Sequence, residues 1–270
     1  MARNAFVTLV TNADYALGAT ALVRSLALTG TAADIVVMQT GGVSREALAP
    51  AAALDARLVE AELLPTSDSF NERHARAKIH AEHPFTKGGK PAFHTPLDNF
   101  AKLRLWQLDY DKVVFIDADA IVLRNIDKLF GYPEFSAAPN VYENLADFRR
   151  LNSGVFVAAP SQAKFNDMLQ RLDAPGALWP RTDQTFLQTY FPDWHGLPVF
   201  FNMLQYVWFN LPELWDWRSI SVVHYQYEKP WQADNPKAER LRPLIDLWKA
   251  YLSGENIPDV DALTNPGTAA

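Results

Sequence analysis

The apolar residues Val113, Val114, Phe115 and Ile116 stop abruptly at Asp117, and Asp119 follows two positions later. A run without a polar face suits a strand covered on both sides, the situation of a parallel strand inside an α/β sheet. Such sheets bind ligands beyond the carboxyl ends of their strands, so chemistry is expected just after Ile116. In extended chain, residues two apart point the same way, and the carboxylates of Asp117 and Asp119 can share one cation, with Ala118 between them. Spacing alone does not select this pair, because Asp109-Tyr110-Asp111 and Asp259-Val260-Asp261 repeat it. Context does, since only the pair at Asp117 and Asp119 closes an apolar strand.

The same alternation extends in both directions. Ala5 to Thr11 reads as a buried strand ending in the polar pair Thr11-Asn12. Ala19, Leu22, Val23 and Leu26 form one helical stripe with Gly30 as its stop, and Ile35 to Met38 form a second strand. Farther on, Gly154 to Ala158 is a short strand, and Ser161 is a candidate cap for a helix with Phe165, Met168, Leu169 and Leu172 on one side. Leu241, Leu244, Ile245 and Trp248 repeat the helical spacing, and the small, polar end from Asn265 to Ala270 is expected to fray. The pattern predicts an α/β fold, a Rossmann-like α/β/α sandwich with a mostly parallel central sheet. One domain is expected over 1–270, with no internal repeat and no clear linker.

Several function classes are disfavoured by composition. The chain has no cysteine, so any metal must be held by oxygen or imidazole, which favours a hard cation. A net charge of -6 argues against a general nucleic-acid binder. The opening residues lack the longer apolar run and cleavage site of a signal peptide, no apolar stretch reaches membrane-spanning length, and a soluble cytoplasmic enzyme is expected, with peripheral membrane contact compatible. Asn71 to Lys102 breaks the alternation: it carries Arg73, Arg76, Lys78, Lys87, Lys90 and Lys102, four histidines (His74, His80, His83, His94) and Gly88-Gly89. It reads as a long loop or lid, either a solvated insertion or a grip on phosphate or an acidic acceptor.

A cation between two aspartates suits a reaction in which a diphosphate departs with charge on its oxygens. Mg²⁺ or Mn²⁺ would act there as a Lewis acid, and a lysine could supply further positive charge. Candidates for the third ligand and that lysine lie in Val222-Val223-His224-Tyr225-Gln226-Tyr227-Glu228-Lys229-Pro230-Trp231, where an apolar pair leads into His224. Taken alone, such a histidine is more often structural and such a lysine a surface charge.

Five segments in order carry a more specific signal: Leu9 to Tyr15, Phe115 to Asp119, Asn152-Ser153-Gly154-Val155-Phe156, Asp183-Gln184, and His224 to Trp231. Together they resemble family 8 glycosyltransferases, the glycogenin and galactinol synthase group. That resemblance implies a GT-A fold, a UDP-sugar donor and transfer that retains the donor's α configuration. It implies a nucleotide-binding half at 1–120, a donor-sugar and acceptor half at 121–252 and a tail at 253–270. Leu9, Thr11, Asn12 and Tyr15 match the nucleotide pocket, with Tyr15 against uracil, and Lys102 matches a lysine that contacts donor phosphates or sugar. Asp117, Asp119 and His224 match the metal ligands, with Ala118 counted among the nucleotide-binding residues, and Mn²⁺ is the expected ion, with Mg²⁺ as the alternative. Lys229 matches the lysine on the diphosphate, while Asn152, Asp183 and Gln184 match residues lining the donor sugar. Asp183, Gln184 and Lys229 are the catalytic candidates, and the acceptor is expected to be a carbohydrate, a polyol or a lipid-linked molecule.

Two departures stand out. Glycogenin-like members have one more residue between the His and the Lys, with a Gly in the middle, whereas Tyr227 fills that region here and the loop must take another path. The Lys87 to Pro96 segment has no clear counterpart in glycogenin, so the acceptor side of the pocket is the least transferable part. A self-glycosylating primer protein, a metal-dependent sugar nucleotidyltransferase and a non-catalytic sugar-nucleotide binder are the competing readings. The nucleotidyltransferase should carry a Gly-rich phosphate loop after the first strand, and Thr11-Asn12-Ala13-Asp14-Tyr15 is not one.

Overall fold

Alternate residues of one short strand feed opposite cores, which explains its unbroken apolar sequence. The computed structural model describes residues 2–73, 96–174 and 182–267. Strand β1 is Asn4–Val10, and helix α1, Ala13–Leu28, follows it directly. The Asn12 side chain caps α1 by accepting the Tyr15 N–H at 3.2 Å, and Gly30, just past the helix, has φ of 69°. Strand β2 is Asp34–Gln39, helix α2 is Arg45–Ala52 and strand β3 is Arg57–Glu60. Strand β4, Lys112–Ile116, sends Val113 and Phe115 into a cluster with Trp106 and Phe156. Its Val114 and Ile116 join Leu22 and Leu26 on the other side. Burying a side chain of this size stabilises the fold by roughly 1.5–3 kcal/mol.

Beyond β4 come β5 (Ala120–Val122), β6 (Ser136–Pro139), β7 (Leu151–Ala158), β8 (His195–Gly196), β9 (Met203–Leu204) and β10 (Val222–His224). The large sheet runs β3-β2-β1-β4-β7-β6-β8, and a three-stranded sheet runs β5-β10-β9. In the large sheet β1 pairs parallel with β2 and β4, and β2 pairs parallel with β3. β6 and β8 are also parallel, whereas β7 is antiparallel to both β4 and β6. The sheet is therefore mostly parallel, as the buried runs predict.

The structure departs from the sequence-based expectations at three places. Strand β7 begins at Leu151 and not at Gly154, so Asn152 and Ser153 lie within a fully buried strand. The flanks of the 71–102 segment are helical: Asn71 to Arg73 close the helix Asp68–Arg73, Pro96–Phe100 is a helical turn, and Lys102 lies in the 3-10 helix Ala101–Gln107. Residues 74–95, with His74, His80, His83, His94 and the Gly88-Gly89 pair, lie outside the described residues. The chain end is tied down at its start, where Asn265 Oδ1 accepts the Trp217 N–H and Thr264 O accepts from Trp217 Nε1, both at 3.1 Å. Residues 268–270 lie outside the described residues. No described helix is long and apolar enough to cross a membrane.

Candidate active site

Where β4 ends, the chain turns tightly. Asp117 N–H donates to Gly154 O at 2.8 Å, and Ala120 N–H donates back to Asp117 O at 3.1 Å. The chain then crosses into the small sheet as β5, which pairs antiparallel with β10 so that Ala120 faces His224. Tyr225 N–H donates to Asp119 O at 2.8 Å. His224 thus ends a strand, as expected, although one of the small sheet, and backbone bonds hold it in register with the acidic turn.

Ligand atoms of Asp117, Asp119 and His224 all lie within 4.8 Å of one another. His224 Nε2 is 3.3 Å from Asp119 Oδ1 and 3.9 Å from Asp117 Oδ2. Asp119 and His224 are buried, while the Asp117 side chain retains 29% exposure, leaving the group open on one side. Two carboxylates and an imidazole fit a divalent cation of hard or borderline character.

Two buried lysines flank this group. Lys102 Nζ is 3.0 Å from Asp117 Oδ1 and 2.9 Å from Asp183 Oδ2, and donates to Ser153 O at 3.1 Å. Lys229 donates to Asp119 Oδ2 and to Tyr225 O, the latter at 2.9 Å. Burial works against the charge of Lys102, but Asp117 and Asp183 outweigh it and hold the ammonium above its ordinary value. Burial likewise opposes ionisation of Asp119, yet Lys229 and His224 keep its carboxyl far below the usual range. For Asp117 burial prevails, and with the repulsion of Asp119 it raises the carboxyl despite Lys102.

The donor-side candidates meet through the same contacts. Asp183 opens the helix Asp183–Tyr190 behind its cap Thr182, and its Oδ2 accepts from Ser153 Oγ at 2.8 Å. Gln184 Oε1 accepts the Ser153 N–H at 3.2 Å. Asn152, the neighbour of Ser153, is buried. Lys102 therefore joins the acidic turn to the Asp183-Gln184 pair. Lys102 is buried and does not lie on a solvated helix face.

On the β1 side, Leu9 is buried and Thr11 O accepts from Thr40 Oγ1 at 3.3 Å. The Asn12 oxygen is committed to the helix cap. The Tyr15 ring meets Trp231 edge-on at 5.2 Å between centroids, and Lys229 Nζ lies 5.7 Å from the Tyr15 centroid. Helix α1 also bears directly on the acidic turn: a Cβ at Gly18 would come within 2.4 Å of Ala118 O and 3.0 Å of Trp231.

Tyr227 has φ of 66°, a left-handed conformation that costs a non-glycine residue roughly 1–2 kcal/mol. Its ring packs against Tyr206 at 5.2 Å and Tyr142 at 5.6 Å, and its hydroxyl is 2.7 Å from that of Tyr142. The shorter loop thus keeps a joint of the kind glycine favours, held by aromatic packing.

Sequence reasoning missed Ser153 as a contact of Asp183, Trp231 as the neighbour of Tyr15, Gly18, Asn140 and Asn202. Only Asn202 left a signal, as a lone amide inside Val199-Phe200-Phe201-Asn202-Met203-Leu204.

Comparison with known proteins gives a consistent picture. Residues 6–235 match the glycosyl transferase family 8 description. The UDP-glucuronate:xylan alpha-glucuronosyltransferase 2 of Arabidopsis thaliana is 33% identical over 245 residues, covering 85% of this chain and 36% of its own length. Human glycogenin-1 is 32% identical over 253 residues, covering 90% of this chain and 66% of its own. The chain thus spans little more than a third of the plant glucuronosyltransferase. Among solved structures, the galactosyltransferase LgtC in complex with donor and acceptor sugar analogs superposes with a TM-score of 0.60 at 16% identity, covering 94% of this chain and 97% of that one. The fold is that of the GT-A glycosyltransferases.

Proposed function

This chain belongs to glycosyl transferase family 8, and from that premise we propose that it moves a hexose from a UDP-sugar to an acceptor with retention of the donor's α configuration. The observation that carries the reading is the convergence of Asp117, Asp119 and His224 between two buried lysines. A divalent cation held by these three residues, Mn²⁺ before Mg²⁺, would supply Lewis acidity to the departing diphosphate. Lys229, freed from Asp119 by the incoming phosphates, neutralises the charge that develops on them. Leu9, Thr11, Asn12, Tyr15 and Ala118 take the nucleotide, with the Tyr15 ring beside uracil. Lys102, Asn152, Asp183 and Gln184 face the donor sugar.

Gln184 is an amide and a poor nucleophile, and Asp183, the nearby carboxylate that is the alternative, has its Oδ2 engaged by both Lys102 and Ser153. We favour attack on the same face as departure. The acceptor oxygen bonds to the anomeric carbon as the bond to the UDP oxygen breaks, and the acceptor proton passes to the leaving phosphate.

The reading treats 1–270 as one catalytic unit, with the nucleotide on 1–120, donor sugar and acceptor on 121–252 and a tail at 253–270. It includes a cytoplasmic location, which cell fractionation tests. The acceptor class stays broad: carbohydrate, polyol or lipid-linked. Relatives named for xylan and for inositol phosphorylceramide support testing both glycans and glycolipids. The decisive experiment incubates the protein with Mn²⁺ and UDP-glucose, UDP-galactose, UDP-glucuronate or UDP-N-acetylglucosamine, and measures UDP formed. Release from at least one donor, lost on chelation, is expected. Failure of folded protein to release UDP from any donor, with or without a panel of sugar and lipid acceptors, overturns the reading.

A further inference from the structure

Four buried side chains form one directional chain of hydrogen bonds behind the acidic turn. Gly154 N–H donates to Asn152 Oδ1 at 2.8 Å, and a backbone nitrogen can only donate, so the atom it meets is the amide oxygen. Asn202 approaches that same oxygen at 2.8 Å. It must do so with its NH₂ group, because the opposite placement would set two acceptors against each other. The oxygen of Asn202 therefore faces the other way, 2.9 Å from His224 Nδ1, which must supply the hydrogen. Asn152 closes the chain by donating its own NH₂ to Asn140 Oδ1 at 2.8 Å.

From this order we infer that Asn202 is a positioning residue that keeps a hydrogen on His224 Nδ1 and so leaves Nε2 as the nitrogen offered to a cation. The inference rests on the metal role given to His224 above. It adds how the imidazole is oriented and which nitrogen faces Asp117 and Asp119. Ligating histidines depend on such outer partners, whose loss typically weakens metal binding about 10- to 100-fold. Asn202 is fully buried, and it is held between two partners it cannot exchange without leaving an amide atom unpaired. Gly154 provides the clearance, since a Cβ there would lie 2.3 Å from His224 Cε1 and 2.5 Å from Nδ1.

The test is a long-range ¹H–¹⁵N spectrum of the full chain, with His224 assigned by the signals lost in His224→Gln. Spectra are taken metal-free in mildly alkaline buffer and with Mg²⁺ and UDP. Nδ1 is expected to carry hydrogen in both. In Asn202→Leu a form with hydrogen only on Nε2 should appear, and Mn²⁺ affinity, read by electron paramagnetic resonance, should drop about 10- to 100-fold. Asn202→Asp gives up the N–H toward Asn152 Oδ1 but still presents an oxygen to Nδ1, and should keep hydrogen on Nδ1. A bare Nδ1 in the wild-type protein overturns the inference, as does an unchanged His224 spectrum in folded Asn202→Leu. If the leucine variant does not fold, the wild-type and aspartate spectra still decide. Absence of Mn²⁺ or Mg²⁺ binding to wild type would instead sink the metal reading, a separate result, because the metal-free spectrum does not depend on it.

Discussion

The ammonium of Lys102 lies 2.9 Å from the Asp183 carboxylate, with both side chains more than nine-tenths buried. Removing one partner of a buried ion pair typically costs about 3–5 kcal/mol, because the other charge is left without compensation. Lys102→Met strands both Asp117 and Asp183 and should fall in that range in urea unfolding. Asp183→Asn should cost clearly less, since Lys102 keeps Asp117. Equal losses in the two variants would contradict the bridging role of Lys102.

Asp119→Asn should lower turnover by orders of magnitude and weaken Mn²⁺ binding, while circular dichroism still reports a folded chain. Asp119 touches both Lys229 and His224, so the substitution removes a metal ligand and releases the lysine together. Near-normal sugar transfer by the folded variant would refute the ligand assignment.

Acid should weaken metal binding through Asp117 before Asp119. The Asp117 carboxyl is raised by burial, and Asp119 is held far below the ordinary range by Lys229 and His224. Protons compete with the cation, so as pH falls the Asp117 ligand is lost while Asp119 is still ionised. For the metal-free fold the two acids have opposite signs. Ionised Asp117 costs stability, and that cost fades as pH drops through its raised value. The contribution of Asp119 is full above the unfolded carboxylate value of about 3.9 and is lost only as pH falls below it. Mn²⁺ titrations from about pH 7 to pH 4.5 measure the binding effect, and constant affinity across that range would contradict it.

Tyr15→Ala should weaken UDP binding by about 1–3 kcal/mol, the usual worth of one aromatic platform under a base, while Tyr15→Phe should change it little. The alanine variant also removes the edge contact with Trp231. Calorimetric titration with UDP separates the two, and a phenylalanine variant as weak as the alanine one would remove the ring from the nucleotide pocket.

Legibility in the sequence followed locality. The acidic pair could be placed because burial of Val113 to Ile116 and the change at Asp117 are written in adjacent residues. Ser161 was readable as a cap for the same reason, and its hydroxyl does accept the Lys164 N–H. Lys102 was harder. Its partners Asp117 and Asp183 come from distant segments, and nothing in Ala101-Lys102-Leu103-Arg104 distinguishes a buried cation from a solvated one. The start of β7 was placed at Gly154 because the polar residues Asn152 and Ser153 hide a buried strand, whereas Gly154 lies inside it and is small to make room for the His224 ring. Asn140 matters through its pairing with Asn152 alone, which residue type and spacing do not encode, and the apolar setting of Asn202 marks the residue without naming its partners.

Gly18 shows how far the motif is from being the whole device. Because that position has no side chain, the first helix can rest against the carbonyl of Ala118, fixing the height of the acidic turn above the sheet. Grafting Asp-Ala-Asp onto another scaffold would carry the ligands but not this bare spot. Even one added methyl group at Gly18, almost a hundred positions earlier in the chain, would have to lift the turn or tilt the helix.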